Sequence, residues 1–593
     1  MKTKRVWSLI LAAACLVTLL AGCGSKAETD EEHPAITMNS PYRNVSVFLD
    51  LVHEKYPEVN LEIIPYNGSN TTAFFTNMRR SGQLPDIYFS TVYSPGQYDD
   101  KAQFLDLSGF AFTGNYVQSR LREVTYEGGV YMLPLGYNAL GITYNKTLLE
   151  KHGWTLPTSL AELEAMKPEV EAAGCTFCVD MLQFPGYGFQ YLCNIADTGY
   201  LSSTEGIVWQ NKFLKGEATV AGTPEIEESI RLIQRWRDIG MLNGLGSPTD
   251  DGQTKSTVAE GNTLFVVGNS ADFGKALGST DRYSLMPYLS EDGNHNVFIL
   301  NVSRYVALNK NLGEKGSEQK LEDTLKVMDV LSTVEGMESL DPTQNNARLL
   351  PLKDAAVGES SFYADILDDL NSGHTANFIY SGWENVVVPL GEKMIDFACG
   401  TTDVDDVIRS FDESQKMITG DVVTYYTTVT ETIPMEDCAR AVGIAFGQAV
   451  GADAALVSTN PWRYIPEGAD SNSKGVNGWL FALPVSDQEI VSILPTGWRQ
   501  NIQTVTLTGA RILELVHTGF VPGDNGISYP YVLVTKGGLE LDPDEIYTIP
   551  ICGVTDAVAQ EGNLTDTGIL GLEAAEAYFG QFETLSVKDI KWE

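Results

Sequence analysis

Between residues 43 and 90 the chain alternates between helical and strand patterning, and this rhythm restricts the fold more than any other feature of the sequence. Val47, Leu51 and Val52 recur at helical spacing, and Pro57 ends that pattern. Val59 to Ile64 then reads as a strand, Asn67 to Asn70 as a polar turn, Thr72 to Arg80 as a helix, and Asp86 to Ser90 as a short strand. A βαβ succession of this kind predicts an α/β domain with a mostly parallel sheet. Ligands of such sheets lie beyond the carboxyl ends of the strands. The loops at Tyr66-Asn67-Gly68 and Ser90 to Tyr93 are therefore candidate binding loops.

The N-terminus carries an address. Lys2, Lys4 and Arg5 precede an apolar stretch from Val6 to Leu20, shorter than the roughly 20 residues a spanning helix needs. It ends in Leu20-Ala21-Gly22-Cys23, which resembles a bacterial lipoprotein signal with Cys23 as the lipidated first mature residue. The polar run from Gly24 to Glu32 reads as a tether. This resemblance implies a signal peptide over 1–22, a tether over 23–39, and a lipid-anchored protein on the outer face of the cytoplasmic membrane.

The length of 593 residues predicts roughly four globular units of about 150 residues. Asp and Glu number 78 against 40 Lys and Arg, so the formal charge of −38 argues against nucleic acid as a partner, which requires clustered positive charge. A small anion at one local site is not excluded by net charge. After Cys15 and Cys23, six cysteines remain, and Cys175-Thr176-Phe177-Cys178 has no second close pair to complete a zinc site. Buried or locally bonded cysteines are the expectation.

Further along, Gly128 to Tyr137 reads as a hairpin-like unit and Ala139 to Tyr144 as a strand, followed by a helix opened by Asn145-Lys146 and stopped near Gly153. Ser159 and Glu162 have capping-box spacing. Thr223-Pro224 opens a helix whose stripe Ile226, Ile230, Ile233 and Trp236 predicts core, with Gly240 at its end.

Several segments in order resemble the extracellular solute-binding proteins of sugar-type ABC importers. They are Leu84 to Tyr88, Tyr126 to Pro134, Gly141 to Lys146 with Leu156-Pro157-Thr158, Ala259 to Gly268, and Ser381-Gly382-Trp383 on to about Ser410. The likeness spans about residues 40–415. It implies a two-lobed periplasmic-binding-protein-like (type II) clamshell of α/β lobes, with a hinge and a cleft that closes on a small solute. The implied ligand is a carbohydrate and the implied partner an ABC importer permease. Aromatic rings pack on the apolar face of a sugar, and amides satisfy its hydroxyls. The candidates are Tyr66, Asn67, Tyr93, Tyr137, Asn138, Tyr187 and Trp383. Core or surface packing competes for each. Phe184 to Phe189 reads either as a cleft rim or as an interlobe packing loop.

A second module starts near Gly420. Val422 to Val429 reads as a strand, Pro434 to Val450 as a helix with Cys438, Ala441, Ala445 and Ala449 on one face, and Asn501 to Leu507 as a strand leading into a short helix. Gly451 to Leu456 with Arg463, Asp487 to Pro495, Val505 to Ala510 and Leu541 to Ile549 resemble the C-terminal, substrate-recognition domain of secreted 5'-nucleotidases. That likeness implies a separate α+β domain over 420–593. Where that family has Asn-Gly-Gly before the arginine, this chain has Ser458-Thr459-Asn460; its Pro-Phe is Pro495-Thr496 here. Asn460 and Arg463 are candidates to hold a phosphate or a sugar, against a purely structural role for the domain.

Catalysis has little support in the sequence. The 5'-nucleotidase resemblance implies a paired-metal centre in a separate N-terminal domain. The six histidines here (His33, His53, His152, His295, His374 and His517) stand too far apart to pair as ligands. No Gly-x-Ser-x-Gly elbow or Walker A loop occurs. The expectation is a non-enzymatic receptor without cofactor or metal. The alternative is a cell-surface nucleotide or phosphate-ester binding protein or hydrolase acting through the second module.

Overall fold

A computed structural model describes residues 33–593, apart from 43, 65, 67–70, 94–98, 183–184, 246–257, 268–278, 343–347, 357–362, 373, 380–381, 420–422, 461–474, 495–499, 520–529 and 553–563. Cys23, Asn67, Arg463 and most of the tether lie outside the described residues.

The chain opens with β1 (Ile36–Asn39), α1 (Ser46–Lys55), β2 (Leu61–Ile64), α2 (Thr71–Arg80) and β3 (Ile87–Ser90). β1 pairs in parallel with both β2 and β3, as the βαβ rhythm requires. The buried face of α1 carries Phe48 and Val52, while Val47 is 50% exposed, so the helix is rotated from the stripe read in the sequence. The expected hairpin is shifted: Thr125–Tyr126 pairs with Gly129–Val130 through a turn with positive φ at Glu127 and Gly128. The chain then runs as one long strand, β4 (Leu133–Leu140), that breaks for a single residue before β5 (Ile142–Asn145).

A second lobe follows: α3 (Lys146–His152), α4 (Leu160–Ala172), β6 (Thr176–Asp180), α5 (Pro185–Ala196), α6 (Thr204–Leu214), α7 (Pro224–Ile239), β7 (Thr263–Val267) and β8 (Tyr283–Met286). Asn145 caps α3 and Gly153 ends it in the left-handed conformation. Ser159 caps α4, but the Glu162 carboxylate accepts from Thr158, not from the cap residue, so the reciprocal box does not form. α7 has Pro224 at its first turn, Gly240 at its end, and Ile226, Ile230, Ile233 and Trp236 buried.

The chain then returns through β9 (Phe298–Leu308), α8 (Glu318–Leu331) and β10 (Thr375–Asn377), and closes the second lobe with α9 (Val387–Ala398) and α10 (Val404–Ile418). The first sheet has the order β10-β9-β3-β1-β2, with β4 also on β9; the second has the order β8-β5-β7-β6. The first sheet is parallel at three of its five pairings, as expected, and the second at one of its three. β9 is antiparallel to β3 and β4, and β5 is antiparallel to β7 and β8. The reversal follows from connectivity: the chain crosses between the sheets at β4–β5 and β8–β9, and each crossing brings a strand back against its neighbours. Each lobe has its own apolar core.

Gly141 occupies the one-residue gap between the two sheets. A Cβ there would stand 2.3 Å from the Met286 carbonyl oxygen, so only glycine fits without moving backbone. Gly141→Val is expected to cost about 1–3 kcal/mol by overpacking, read as a lowered denaturation midpoint. An unchanged midpoint would show that the crossing is pliable.

The second module contains β11 (Thr427–Val429), α11 (Met435–Val450), β12 (Ala454–Ser458), β13 (Pro484–Val485), α12 (Asp487–Ile493), β14 (Asn501–Thr508), α13 (Gly509–Thr518), β15 (Tyr531–Thr535), β16 (Ile546–Cys552), β17 (Thr565–Leu570), α14 (Gly571–Phe579) and β18 (Thr584–Leu585). Small sheets β13-β11-β18, β12-β15 and β16-β14-β17 surround two cores. Cys438, Ala441 and Ala445 are buried on α11 as the helical spacing predicted. The strand expected from Val422 is confined to β11.

This module is clamped onto α2 of the first lobe. Phe74 is fully buried, stacked on Tyr66 at 4.1 Å and in contact with the rings of Trp479 and Phe481. Arg80 pairs with Glu489 at 3.2 Å, Gln83 donates to Thr432, and the Tyr66 hydroxyl donates to the Ser492 carbonyl oxygen.

Candidate functional site

β9 alternates in character along its length. Phe298-Ile299-Leu300 and Val306-Ala307-Leu308 are buried apolar ends, while Asn301 to Tyr305 between them are only half-buried. One edge of β9 is taken by β4 from Ile299 to Val306. The other edge pairs with β10 over Phe298–Leu300 and with β3 over Tyr305–Leu308. Residues 301–304 are left without a strand partner on that edge, and there a cavity of about 560 Å³ opens. It lies at the carboxyl ends of β3 and β10 and at the amino end of α2.

The lining is polar and aromatic: Thr71 and Thr72 from α2, Thr91 and Tyr93 after β3, Glu123, the centre of β9, and Asn377 with Phe378 after β10. Phe378 packs against the core of the second lobe, so the cavity stands at the junction of the lobes. Tyr93 and Tyr305 stack at 5.4 Å with 26° between their planes, and the Tyr93 hydroxyl donates to the Val124 carbonyl oxygen. Burial, aided by neighbouring acidic groups, holds both phenols well above the usual tyrosine range, so they remain neutral.

Glu123 is held twice. Its carboxylate pairs with Arg120 at 2.7 Å and accepts from the Tyr137 hydroxyl at 3.0 Å, while the Arg120 guanidinium lies 4.6 Å over the Tyr137 ring. Tyr137 is 2% exposed and fixes the rim through Glu123. Asn138 stands opposite Asn301 in the β4–β9 register, on the same face of the sheet as that cavity residue.

Four other candidates stand elsewhere. Tyr66 is buried beneath the second module, for the reason already given: its ring and hydroxyl are both used in that junction. Trp383 is 2% exposed in the second lobe's core, stacked on Phe213 at 5.0 Å, and is not a lining residue of the cavity. Tyr187 lies in α5, stacked at 6.4 Å on Tyr191; the segment read as a glycine-bearing loop is a helix with Pro185 at its first position. Asn460 is 3% exposed in the second module, where its backbone bonds Val476 and Asn477.

Asn301, Ser303, Arg304 and Tyr305 were missed by sequence reasoning. The signal was a five-residue stretch with polar groups at Asn301, Ser303, Arg304 and Tyr305 between two apolar triplets, which marks a strand whose middle leaves the core. Gly293-Asn294-His295 belongs to a turn in which the Asp292 carboxylate and the Ser290 hydroxyl accept from the backbone of Asn294 and His295. Among the described residues, no group of three or more His, Cys, Asp or Glu side chains is arranged to hold a metal ion. Cys175, Cys178, Cys193, Cys399 and Cys438 are unbonded to one another. No described helix is long and apolar enough to cross a membrane.

Residues 53–315 match the family model of the bacterial extracellular solute-binding proteins. No curated protein matches the chain. Among solved structures, the binding protein MsmE from Bacillus subtilis, in an open conformation, is 12% identical with a TM-score of 0.55, over 66% of this chain and 99% of that one. Apo RafE from Streptococcus pneumoniae is 13% identical with a TM-score of 0.54, over 67% and 100%. RafE in complex with raffinose is 14% identical with a TM-score of 0.53, over 65% and 99%. At these identities the likeness establishes a periplasmic-binding-protein-like fold for the first module, and that alone.

Proposed function

We propose that this chain is a membrane-tethered receptor that captures a carbohydrate at the lobe junction and delivers it to an ABC importer permease. The observation that carries the reading is the cavity between β3, β9 and β10: it combines a stacked tyrosine pair with a ring of hydroxyl and amide groups. That combination matches a sugar's apolar face and its hydroxyls. The structural neighbour RafE holds raffinose, which supports the saccharide class. Ligand acts by binding one arrangement of the lobes better than another, which shifts the closure equilibrium.

In this reading Cys23 carries the lipid anchor, residues 23–39 are the tether, residues 40–415 form the receptor, and residues 420–593 form a 5'-nucleotidase C-terminal-like domain. That domain buttresses α2, whose amino end lines the cavity.

The test is a thermal-unfolding titration of the full-length protein in mild detergent with mono- and oligosaccharides. A ligand of the native state at 100 times its Kd is expected to add about 2.7 kcal/mol. Tyr305→Ala is expected to abolish the shift. Concentration-independent melting across the whole panel would defeat the receptor reading.

A further inference from the structure

The cavity carries positive charge that a neutral sugar does not require. Arg304 lines it, and its Nε is buried without a hydrogen-bond partner. One terminal nitrogen of the same guanidinium donates to the Ser303 carbonyl oxygen. Arg348 lies alongside: its side chain crosses β4 at Gly136, within 3.4 Å of where a Cβ would stand, next to Ser303. Its Nε is likewise buried and unpartnered, while Nη2 donates to the Met337 and Asp341 carbonyl oxygens. Neither arginine forms an ion pair among the described residues. Asp341 and the Tyr42 phenol, which also meets the Arg348 side chain, are within electrostatic reach of Arg304. Glu123, the acidic residue on the cavity wall, is already matched by Arg120.

Local backbone geometry aims this charge. The β4–β9 register shifts on both sides of Arg304, once between Val302 and Arg304 and once between Arg304 and Tyr305. Paired irregularities of this kind redirect a side chain beside a binding site. A second feature points the same way. α2 begins at Thr71 and Thr72 in the cavity wall and has no acidic residue in its first turn. The amino end of a ten-residue helix favours an anion. Leaving a buried guanidinium N–H without an acceptor is costly, and an anionic ligand group supplies that acceptor for the Arg304 Nε.

We propose that the cavity takes a saccharide bearing an anionic group, a carboxylate or a phosphate, held by Arg304 and the amino end of α2 with Arg348 as the adjacent second charge. This deepens the receptor reading above and rests on it.

The experiment is calorimetric titration of the full-length protein in detergent with matched sets. These are glucose, glucuronate and glucose 6-phosphate; galactose and galacturonate; and raffinose and digalacturonate. At low salt at least one anionic sugar is expected to bind about tenfold or more tighter than its neutral counterpart. That advantage shrinks as ionic strength rises. The glucuronate and phosphate arms tell which anion is read. Arg304→Gln is expected to erase the advantage, so that the anionic sugar and its neutral counterpart bind that variant equally, and Arg304→Lys to keep part of it. Neutral sugars binding as tightly as anionic ones overturns the proposal and leaves the receptor reading standing. So does an anionic advantage that survives in a folded Arg304→Gln protein. Absence of binding by every sugar removes the receptor reading and the proposal together.

Discussion

Phe74→Ala is expected to destabilise the protein by about 3–5 kcal/mol and to split its unfolding into two transitions. Phe74 is fully buried where three elements meet: the Tyr66 ring, α2, and the Trp479–Phe481 segment of the second module. The polar contacts across the same junction are weaker. The Arg80–Glu489 pair has a half-exposed arginine, and partly exposed pairs contribute about 1 kcal/mol or less. The aromatic cluster therefore decides whether the modules unfold together. Denaturant unfolding followed by tryptophan fluorescence and by far-ultraviolet circular dichroism would show the change, because Trp479 reports on the junction. Since α2 also lines the cavity, loss of its buttress should weaken ligand binding severalfold. Coincident, single transitions in the variant would mean that the second module is held by other contacts.

The second large effect lies inside the second lobe. α5 and α9 cross with glycine against glycine. A Cβ on Gly188 would stand 2.3 Å from the Gly391 carbonyl oxygen, and one on Gly391 would stand 1.8 Å from the Pro185 carbonyl oxygen. Both obstacles are backbone, so no rotamer change relieves them. Gly391→Ala would gain about 1 kcal/mol of helix propensity, but the overlap forces the helices apart and exposes a contact in the lobe's core, a loss of about 1–3 kcal/mol. Gly391→Leu cannot be placed at all and should cost more than about 4 kcal/mol. The check is the recovery of folded protein and its midpoint in urea. A leucine variant with near-normal stability would show that this crossing is loosely packed.

The sequence was most informative where local chemistry and periodicity agree. Pro224 at a first turn, four apolar residues at helical spacing and Gly240 at the end define α7 without any tertiary knowledge. The β1–α1–β2–α2–β3 succession and the parallel pairing around β1 were legible for the same reason. Pro185, Gly186 and Gly188 misled because punctuation residues ordinarily mark loops. Here proline starts a helix, and Gly188 is required by a second helix about two hundred residues away.

The candidate site divides along the same line. Tyr93 was legible because it follows a strand end, where α/β sheets place their ligands. Tyr66 satisfies the same local rule, yet the second module covers it, and no local pattern announces a contact with Ser492. Trp383 offered an aromatic ring, but Phe213 and Phe411 enclose it.

By itself, then, the sequence determined the alternating elements of the first module, most of their caps and its α/β class, because those rest on side-chain periodicity and backbone preference over short spans. The cavity was decided only by tertiary structure. It exists because β10 and β3 take opposite ends of one edge of β9 and leave residues 301–304 unpaired between them. Strand pairing over more than two hundred residues is a property of the assembled sheet, and no short window of the chain contains it.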